Sequence, residues 1–317
     1  MSIKITGTGS AIPVTILNNN QLSQWVETSD EWIKERTGIR ERRILGSESL
    51  ADIAIKAALK ALESSGCPAK DIELIICSTV HGEGAAPALA CIIQKNIGAV
   101  CPAFDINTAC TGFLYALQTA RSFIQSGLAK RVLVVAAEAM SEITDYTDRE
   151  TCILFGDGAG AVLLEKGESL VDILLTSEGN GKNIYIPLSR GNCPLTKKTA
   201  ETPYTKMNGK EVYKFAVNAL FRDVRQLLES NNMTVSDIDY FLFHQANLRI
   251  LETAREKLEI PTEKMIINID RYGNTSSACI PVMLDESIRS GLLSTGDTNV
   301  LSAFGAGFTT GAAIIKI

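Results

Sequence analysis

The feature that most constrains this chain is that it repeats itself. Leu62-Glu63-Ser64 closes one segment of helical apolar spacing, and Leu228-Glu229-Ser230 closes another 166 residues later. Asp71-Ile72 and Asp237-Ile238, which open the apolar runs that follow, keep the same offset of 166. Two more matches keep the order: Ile124-Gln125-Ser126-Gly127-Leu128 with Ile288-Arg289-Ser290-Gly291-Leu292 at 164, and Gly160-Ala161-Val162-Leu163-Leu164 with Gly311-Ala312-Ala313-Ile314-Ile315 at 151. Helix ends and strands resemble one another by composition, but four ordered matches favour duplication of one unit. The halves run 1–166 and 167–317, and the shorter last offset puts an extra stretch in the first half near 140–155. A duplicated chain tends to hold its site at the seam, because ligand clefts favour interfaces.

Apolar runs at 72–79, 132–139, 160–166, 238–244, 265–269, 298–303 and 311–317 read as buried strands separated by segments of helical spacing. That alternation predicts an α/β layered protein. With 31 basic and 36 acidic side chains the chain has a formal charge of −5, which argues against coating nucleic acid or anionic lipid as its main task. A polyanionic partner must then meet a local basic patch. The eight cysteines (67, 77, 91, 101, 110, 152, 193 and 279) include no C-x-x-C pair and read as reduced thiols. The first residues run straight into a strand pattern without a signal-peptide layout. No apolar run approaches the roughly 20 residues needed to span a bilayer, so the expected location is cytoplasmic.

Chemistry has few places to sit. Of the two histidines, His81 lies among glycines in a loop and reads as mostly solvated, while His244 closes the run 238–244 just before a helix begins. A strand's carboxyl end beside a helix start is a favoured place for catalytic groups in α/β sheets, although a structural histidine fits equally well. Cys110 follows strand-like Ala103-Phe104-Asp105-Ile106 and precedes a helical run from Phe113 to Ile124. Free amides and the positive helix end there would lower a thiol from about 8.5 and make thiolate available. Cys77, Cys91 and Cys152 read instead as buried packing thiols.

Gly7-Thr8-Gly9-Ser10-Ala11-Ile12-Pro13 begins like a dinucleotide fingerprint but has Ile12 where the third glycine belongs, and Pro13 obstructs the helix. Gly156-Asp157-Gly158-Ala159-Gly160 leads into a strand and reads as tight packing. Gly305-Ala306-Gly307 lies between two strands, where exposed amides would suit an oxyanion. Thr28-Ser29-Asp30-Glu31 has capping-box spacing for a helix with Trp32 and Arg36 on one face. Its flat indole and guanidinium suit stacking on an adenine, though a helix packed by its Trp explains the segment too.

Several segments, in one order, resemble the 3-oxoacyl-[acyl-carrier-protein] synthase III family of the thiolase superfamily: Thr28-Ser29-Asp30-Glu31-Trp32-Ile33, Arg36-Thr37-Gly38-Ile39-Arg40, Ala109-Cys110-Thr111-Gly112-Phe113, Phe155-Gly156-Asp157-Gly158-Ala159-Gly160, His244-Gln245-Ala246-Asn247, Tyr272-Gly273-Asn274-Thr275-Ser276-Ser277 and Phe304-Gly305-Ala306-Gly307-Phe308. The resemblance implies a duplicated five-layer αβαβα fold, a homodimer, and a catalytic triad of Cys110, His244 and Asn274. It implies an oxyanion hole from the amides of Cys110 and Ala306, and coenzyme A held by Trp32 and Arg149 with Thr28, Arg36 and Asn247 nearby. Lys214, Arg249 and Lys257 match the family's docking positions for acyl carrier protein. The implied reaction joins a short acyl-CoA to malonyl-carrier protein with loss of carbon dioxide and no metal or redox cofactor. Ala86 stands where the family usually has a bulky aromatic that limits the partner subunit's acyl pocket, which points either to a primer larger than acetyl or to a pocket closed by another residue. Ala306 replaces a usual glycine and requires a backbone outside strongly positive φ. A sibling condensing enzyme of secondary metabolism, a cysteine hydrolase and an idle acyl-CoA-binding protein are the rival readings.

Overall fold

In the computed structural model, which describes residues 2–188, 195 and 202–317, the apolar runs form two sheets that share a helical layer. The first sheet has the spatial order β1 (Ser2–Ala11), β7 (Asp157–Gly167), β6 (Arg131–Ala139), β4 (Leu74–Ser78) and β5 (Ala103–Ile106). Strand β4 is parallel to β5 and β6, and β7 is antiparallel to both its neighbours. The second sheet has the order β11 (Tyr240–Phe243), β12 (Thr298–Gly305), β13 (Gly307–Lys316) and β8 (Leu170–Asn180). Two ribbons complete the strands: β2 (Thr15–Asn18) with β3 (Glu41–Ile44), and β9 (Ile184–Tyr185) with β10 (Lys206–Met207).

Five layers result. Helices α3 (Leu50–Ser65) and α4 (Leu89–Ile97) cover the outer face of the first sheet. Helices α5 (Gly112–Gln125) and α10 (Cys279–Arg289) fill the space between the sheets, and α7 (Gly209–Ser230) and α8 (Leu248–Lys257) cover the outer face of the second. The middle layer buries Phe113, Leu114, Leu117, Met283 and Leu284 against Val134 and Leu301. At about 1.5–3 kcal/mol for each large apolar side chain, this seam is a main source of cohesion. Helix α3 shows how locally the sequence dictates its elements. Ser49 caps it, Asp52 completes a capping box, its apolar residues recur at Leu50, Ile53, Ala54, Ala57, Ala61 and Leu62, and Gly66 ends it in the left-handed region. Gly7 and Gly9 of β1 let this helix approach, since a Cβ on either would run into the Ala61 or Ala57 carbonyl oxygen. The incomplete dinucleotide fingerprint is thus a packing motif.

The repeated segments occupy matching places. Both Leu-Glu-Ser triplets end helices, α3 and α7, and each leads through a 3₁₀ turn (Ala69–Asp71 or Val235–Asp237) into a parallel strand, β4 or β11. Gly127 and Gly291 terminate α5 and α10 with φ of 76° and 74°. The expected strand at 265–269 is a correction: Met265 makes a single bridge to Phe241, and a helical turn, α9 (Ile269–Tyr272), starts at once. The backbone amides of Asn268 and Ile269 turn away to Gln245 Oε1 at 3.1 and 3.2 Å, which ends the pairing. Strand β8 had no clear signal in the sequence because it is a half-exposed edge strand with polar residues along its second half. Seven cysteines are free thiols; Cys193 lies outside the described residues. Cys91 is exposed on α4, contrary to its reading as a packing thiol.

Candidate active site

Cys110 sits in the one-turn 3₁₀ segment Ala109–Thr111 that runs into α5. Ala109 adopts φ 49°, a left-handed conformation that non-glycine residues avoid, and so delivers Cys110 at a sharp bend. The end of β12 lies across this turn: a Cβ on Gly305 would stand 2.8 Å from the Cys110 amide nitrogen. The left-handed φ in this loop belongs to Gly307 (φ 139°), so Ala306 meets no backbone obstacle. Burial pushes the Cys110 thiol up to about 12, with the Ser276 hydrogen bond acting in the opposite sense. The expected resting thiolate is therefore corrected: desolvation outweighs the amide ends around the sulfur.

His244 follows β11, and its backbone N–H donates to Ser302 O at 2.8 Å, fixing it beside β12. Its ring is buried edge-on to Phe304, with 5.3 Å between centroids, and among the described residues Nδ1 has no hydrogen-bond partner. Burial pushes it down to about 3, so the imidazole is neutral and presents one donor and one acceptor. Asn274 is held by its backbone, N–H to Leu154 O at 2.9 Å and O from Gly156 N–H at 3.0 Å. Its side-chain oxygen accepts from Ser276 N–H at 2.9 Å, which leaves the –NH₂ as the available donor. Cys110, His244 and Asn274 line one cavity of about 210 Å³ together with Phe304, Gly305, Ala306, Asn247 and Arg36. A second cavity of about 830 Å³ meets it at Cys110, Phe155 and Ala306 and is lined beyond by Ile106, Met140, Ile143 and Ile186.

Two residues escaped the sequence reading. Glu138, at the end of β6, is fully buried; its Oε1 accepts from Ser277 Oγ at 2.5 Å and Ser276 Oγ at 3.2 Å, and its Oε2 accepts from Val80 N–H at 3.0 Å. Ser276 Oγ also lies 3.5 Å from Cys110 Sγ. The only trace in the sequence was a carboxylate closing an apolar run. His81 is half-buried rather than solvated, with Nε2 3.0 Å from Ala139 O. Among the described residues no group of three His, Cys, Asp or Glu is placed to hold a metal, and no helix is long and apolar enough to cross a membrane.

Outside the cavity, Ser29 rather than Thr28 caps α2 (Asp30–Thr37), accepting from Trp32 N–H at 3.2 Å. The expected Thr28–Glu31 capping box is therefore a correction: with Ser29 as the cap the third residue on is Trp32, whose indole has no acceptor to return to the cap N–H. The guanidinium carbons of Arg149 and Arg36 lie 5.0 and 5.4 Å from the Trp32 ring centroid. Arg149 belongs to the short helix α6 (Arg149–Cys152), inside the extra stretch of the first half, and donates to Glu27 O at 3.0 Å. Among the described residues, Thr28 Oγ1 is buried without a hydrogen-bond partner. Asn247 spends its amide on capping α8 and on Arg36 O. Lys214 and Arg249 meet Arg36 and Lys210 around an outer opening, whereas Lys257 is not among its lining residues and lies 6.0 Å from the Phe221 ring. The outermost helical turn of the chain's first ribbon, α1 (Asn19–Leu22), anchors this side: Asn19 Nδ2 donates to Asp30 Oδ1 at 2.9 Å.

A half-buried Cys, a neutral His and an Asn amide lining one cavity in this layered fold define a class, the acyl-transferring condensing enzymes of the thiolase fold. Comparison narrows the class. The sequence pattern of 3-oxoacyl-[acyl-carrier-protein] synthase III matches residues 104–179 and that of its C-terminal part matches 228–317. The chain is 44% identical over 320 aligned positions to the β-ketoacyl-[acyl-carrier-protein] synthase III of Clostridium acetobutylicum, covering 99% of this chain and 98% of that one. The crystal structure of 3-oxoacyl-[acyl-carrier-protein] synthase III from Aquifex aeolicus superposes with a TM-score of 0.92 at 40% identity over 99% of this chain and 100% of that one. The priming β-ketosynthase of the R1128 polyketide pathway superposes at 0.93 with 32% identity, over 99% and 96%. The chain belongs to the 3-oxoacyl-[acyl-carrier-protein] synthase III family, the initiating condensing enzymes of fatty acid synthesis.

Proposed function

We propose that the chain joins an acyl-CoA primer to malonyl-acyl carrier protein by decarboxylative Claisen condensation, with Cys110, His244 and Asn274 as the catalytic residues. One observation supports this reading: side chains supplied by both halves, 1–166 and 167–317, line a single cavity. Cys110 Sγ attacks the thioester carbonyl while the amides of Cys110 and Ala306 hold the oxyanion, and coenzyme A leaves. Malonyl-carrier protein then enters, and loss of carbon dioxide leaves an enolate. A neutral imidazole N–H and the Asn274 –NH₂ are two donors suited to its oxygen; the carbanion attacks the acyl-Cys110 carbonyl, and collapse of the tetrahedral carbon breaks the C–S bond, releasing the 3-oxoacyl product and returning the electron pair to Cys110 Sγ. Decarboxylation makes the step irreversible, so the scheme calls on no metal or redox group.

Trp32, Arg149, Arg36, Thr28 and Asn247 are proposed to receive coenzyme A, with Arg149 moving off the indole to admit the adenine. Lys214 and Arg249 receive the acidic carrier protein, with Lys257 as a more distant contact. The working unit is a homodimer in the cytoplasm, with no nucleic-acid or membrane partner. Edge strand β5 offers unpaired backbone groups to a second copy. The wide second cavity and the small Ala86 favour a primer larger than acetyl. Intact-protein mass spectrometry after exposure to a panel of acyl-CoAs tests the reading: wild type gains the acyl mass and Cys110→Ala does not, and the heaviest labelling identifies the primer. Label that persists in Cys110→Ala would exclude the nucleophile.

A further inference from the structure

Ser276 belongs to a segment that marked the family, yet the reaction scheme gives it no part. Its backbone is held at φ 50°, a conformation costly for a residue with a side chain, and the result is a hydroxyl between two groups. Oγ is 3.5 Å from Cys110 Sγ and 3.2 Å from Glu138 Oε1. One hydroxyl proton cannot serve both. When Ser276 donates to Glu138, its lone pairs face the Cys110 S–H; when Glu138 is protonated, the Ser276 proton turns to the sulfur and steadies a thiolate.

We propose that Ser276 and Glu138 form a relay that takes the Cys110 proton as the sulfur attacks. The inference rests on Cys110 being the nucleophile. As the Sγ–C bond forms, the thiol proton passes to Ser276 Oγ and the hydroxyl proton passes to Glu138 Oε1. When the tetrahedral carbon collapses, the leaving sulfur takes the electron pair of its breaking C–S bond and, back through Ser276, the proton that Glu138 held. Glu138 acts only through Ser276, so it is a positioning residue, while Ser276 touches the reacting atom.

The surroundings suit this division. His81 from the loop after β4, Cys77 on β4, Cys279 on α10 and Cys110 are the titratable groups near Glu138, and among the described residues none forms an ion pair with it. Burial raises its carboxyl to about 7, which makes it a ready proton acceptor and donor near neutral pH. His244, which also lines the cavity, is held down to about 3 by burial and among the described residues has no acidic partner to stabilise an imidazolium.

The test is the pH profile of Cys110 alkylation by iodoacetamide, with the labelled residue mapped by peptide mass spectrometry. In wild type the rate should rise as Glu138 ionises near pH 7 and then level off over about one pH unit, because one proton shared by sulfur and carboxylate partitions independently of pH, before direct ionisation of the Cys110 thiol takes over at higher pH. In Glu138→Gln and in Ser276→Gly, a change that suits the φ of that position, the level region should be replaced by a climb of about tenfold per pH unit. The rate at pH 7.5 should fall about tenfold or more, as expected for losing a hydrogen bond to a charged group. His244→Ala should keep the level region. A wild-type rate that climbs throughout, a level region surviving in Ser276→Gly, or its loss in His244→Ala overturns the relay. Ser276→Gly decides alone if Glu138→Gln does not fold. Label mapped away from Cys110 would instead overturn the nucleophile assignment beneath it.

Discussion

Phe155 and Asn274 face each other across a single parallel bridge, closed by Gly156 N–H to Asn274 O and Asn274 N–H to Leu154 O. The position of the proposed catalytic amide is therefore set by backbone from the first half of the chain, just upstream of β7. Gly156 is what permits the contact, because a Cβ there would run into Tyr272 O and press on Arg42 Cβ.

Gly156→Ala should consequently displace residues 272–274. Overpacking of this kind costs roughly 1–3 kcal/mol, and a displacement of about 1 Å at a catalytic group costs on the order of a hundredfold in rate. Decarboxylation of malonyl-carrier protein should fall by about that factor while acyl transfer to Cys110 changes severalfold at most. Parallel assays of the two half-reactions check this; an equal loss in both would mean that Asn274 is not the group disturbed.

The layered α/β pattern, the matched helix-then-strand segments and the local settings of Cys110 and His244 were legible because each is a local pattern: periodicity, a helix start, a strand end. The carboxylate behind the nucleophile was not. Glu138 and Ser276 are 138 residues apart, and only the packing of β6 against the turn before α10 joins them. The protonation of Cys110 was misread for the same reason. Free amides at a helix start can be read from neighbours in sequence, whereas desolvation depends on segments such as the end of β12 at Gly305, which the fold brings against Cys110 from elsewhere. Asn274 had no local signal of its own and was reached through the family resemblance.

Arg149 now lies where a stacked base would lie, 5.0 Å from the Trp32 centroid, and two stacking contacts of about 3.5 Å need a wider slot. An adenine that takes this place gains a stack and a guanidinium contact, an arrangement of about 1–2 kcal/mol. Arg149→Ala and Trp32→Ala should each raise the KM for acyl-CoA about tenfold. Acylation by the matching N-acetylcysteamine thioester, which has no adenine, should not change. If both substrates weaken together, these residues act on the fold and not on the nucleotide.

The opening ringed by Arg36, Lys210, Lys214 and Arg249 concentrates positive charge on a chain of net charge −5. Charges of one sign at a channel mouth speed encounter with an oppositely charged partner, and salt removes the effect. Arg249→Glu should raise the KM for malonyl-carrier protein by an order of magnitude or more at low ionic strength, and the difference should shrink with added salt. Lys257→Glu, away from this opening, should change it little. A larger effect at Lys257 would move the docking surface along α8.

Two buried groups give the fold opposite pH dependences. His244 is held at about 3 against an ordinary 6.5. The unfolded chain binds a proton that the folded one refuses, so its contribution to stability is lost as pH falls from 6.5 toward 3. Glu138 is held at about 7 against 4.5. The folded chain keeps a proton that the unfolded one sheds, so its contribution is present below 4.5 and is lost as pH rises toward 7. Each acts with a limiting slope of about 1.4 kcal/mol per pH unit, and between 4.5 and 6.5 the two oppose each other. Relative to Glu138→Gln, wild-type stability should decline across pH 4.5–7; relative to His244→Gln it should climb from pH 3 to 6.5. Urea unfolding of the three proteins at matched pH values measures both differences. A pH-independent gap between wild type and Glu138→Gln would mean that the carboxyl titrates normally in the folded protein, and that it holds no proton to lend.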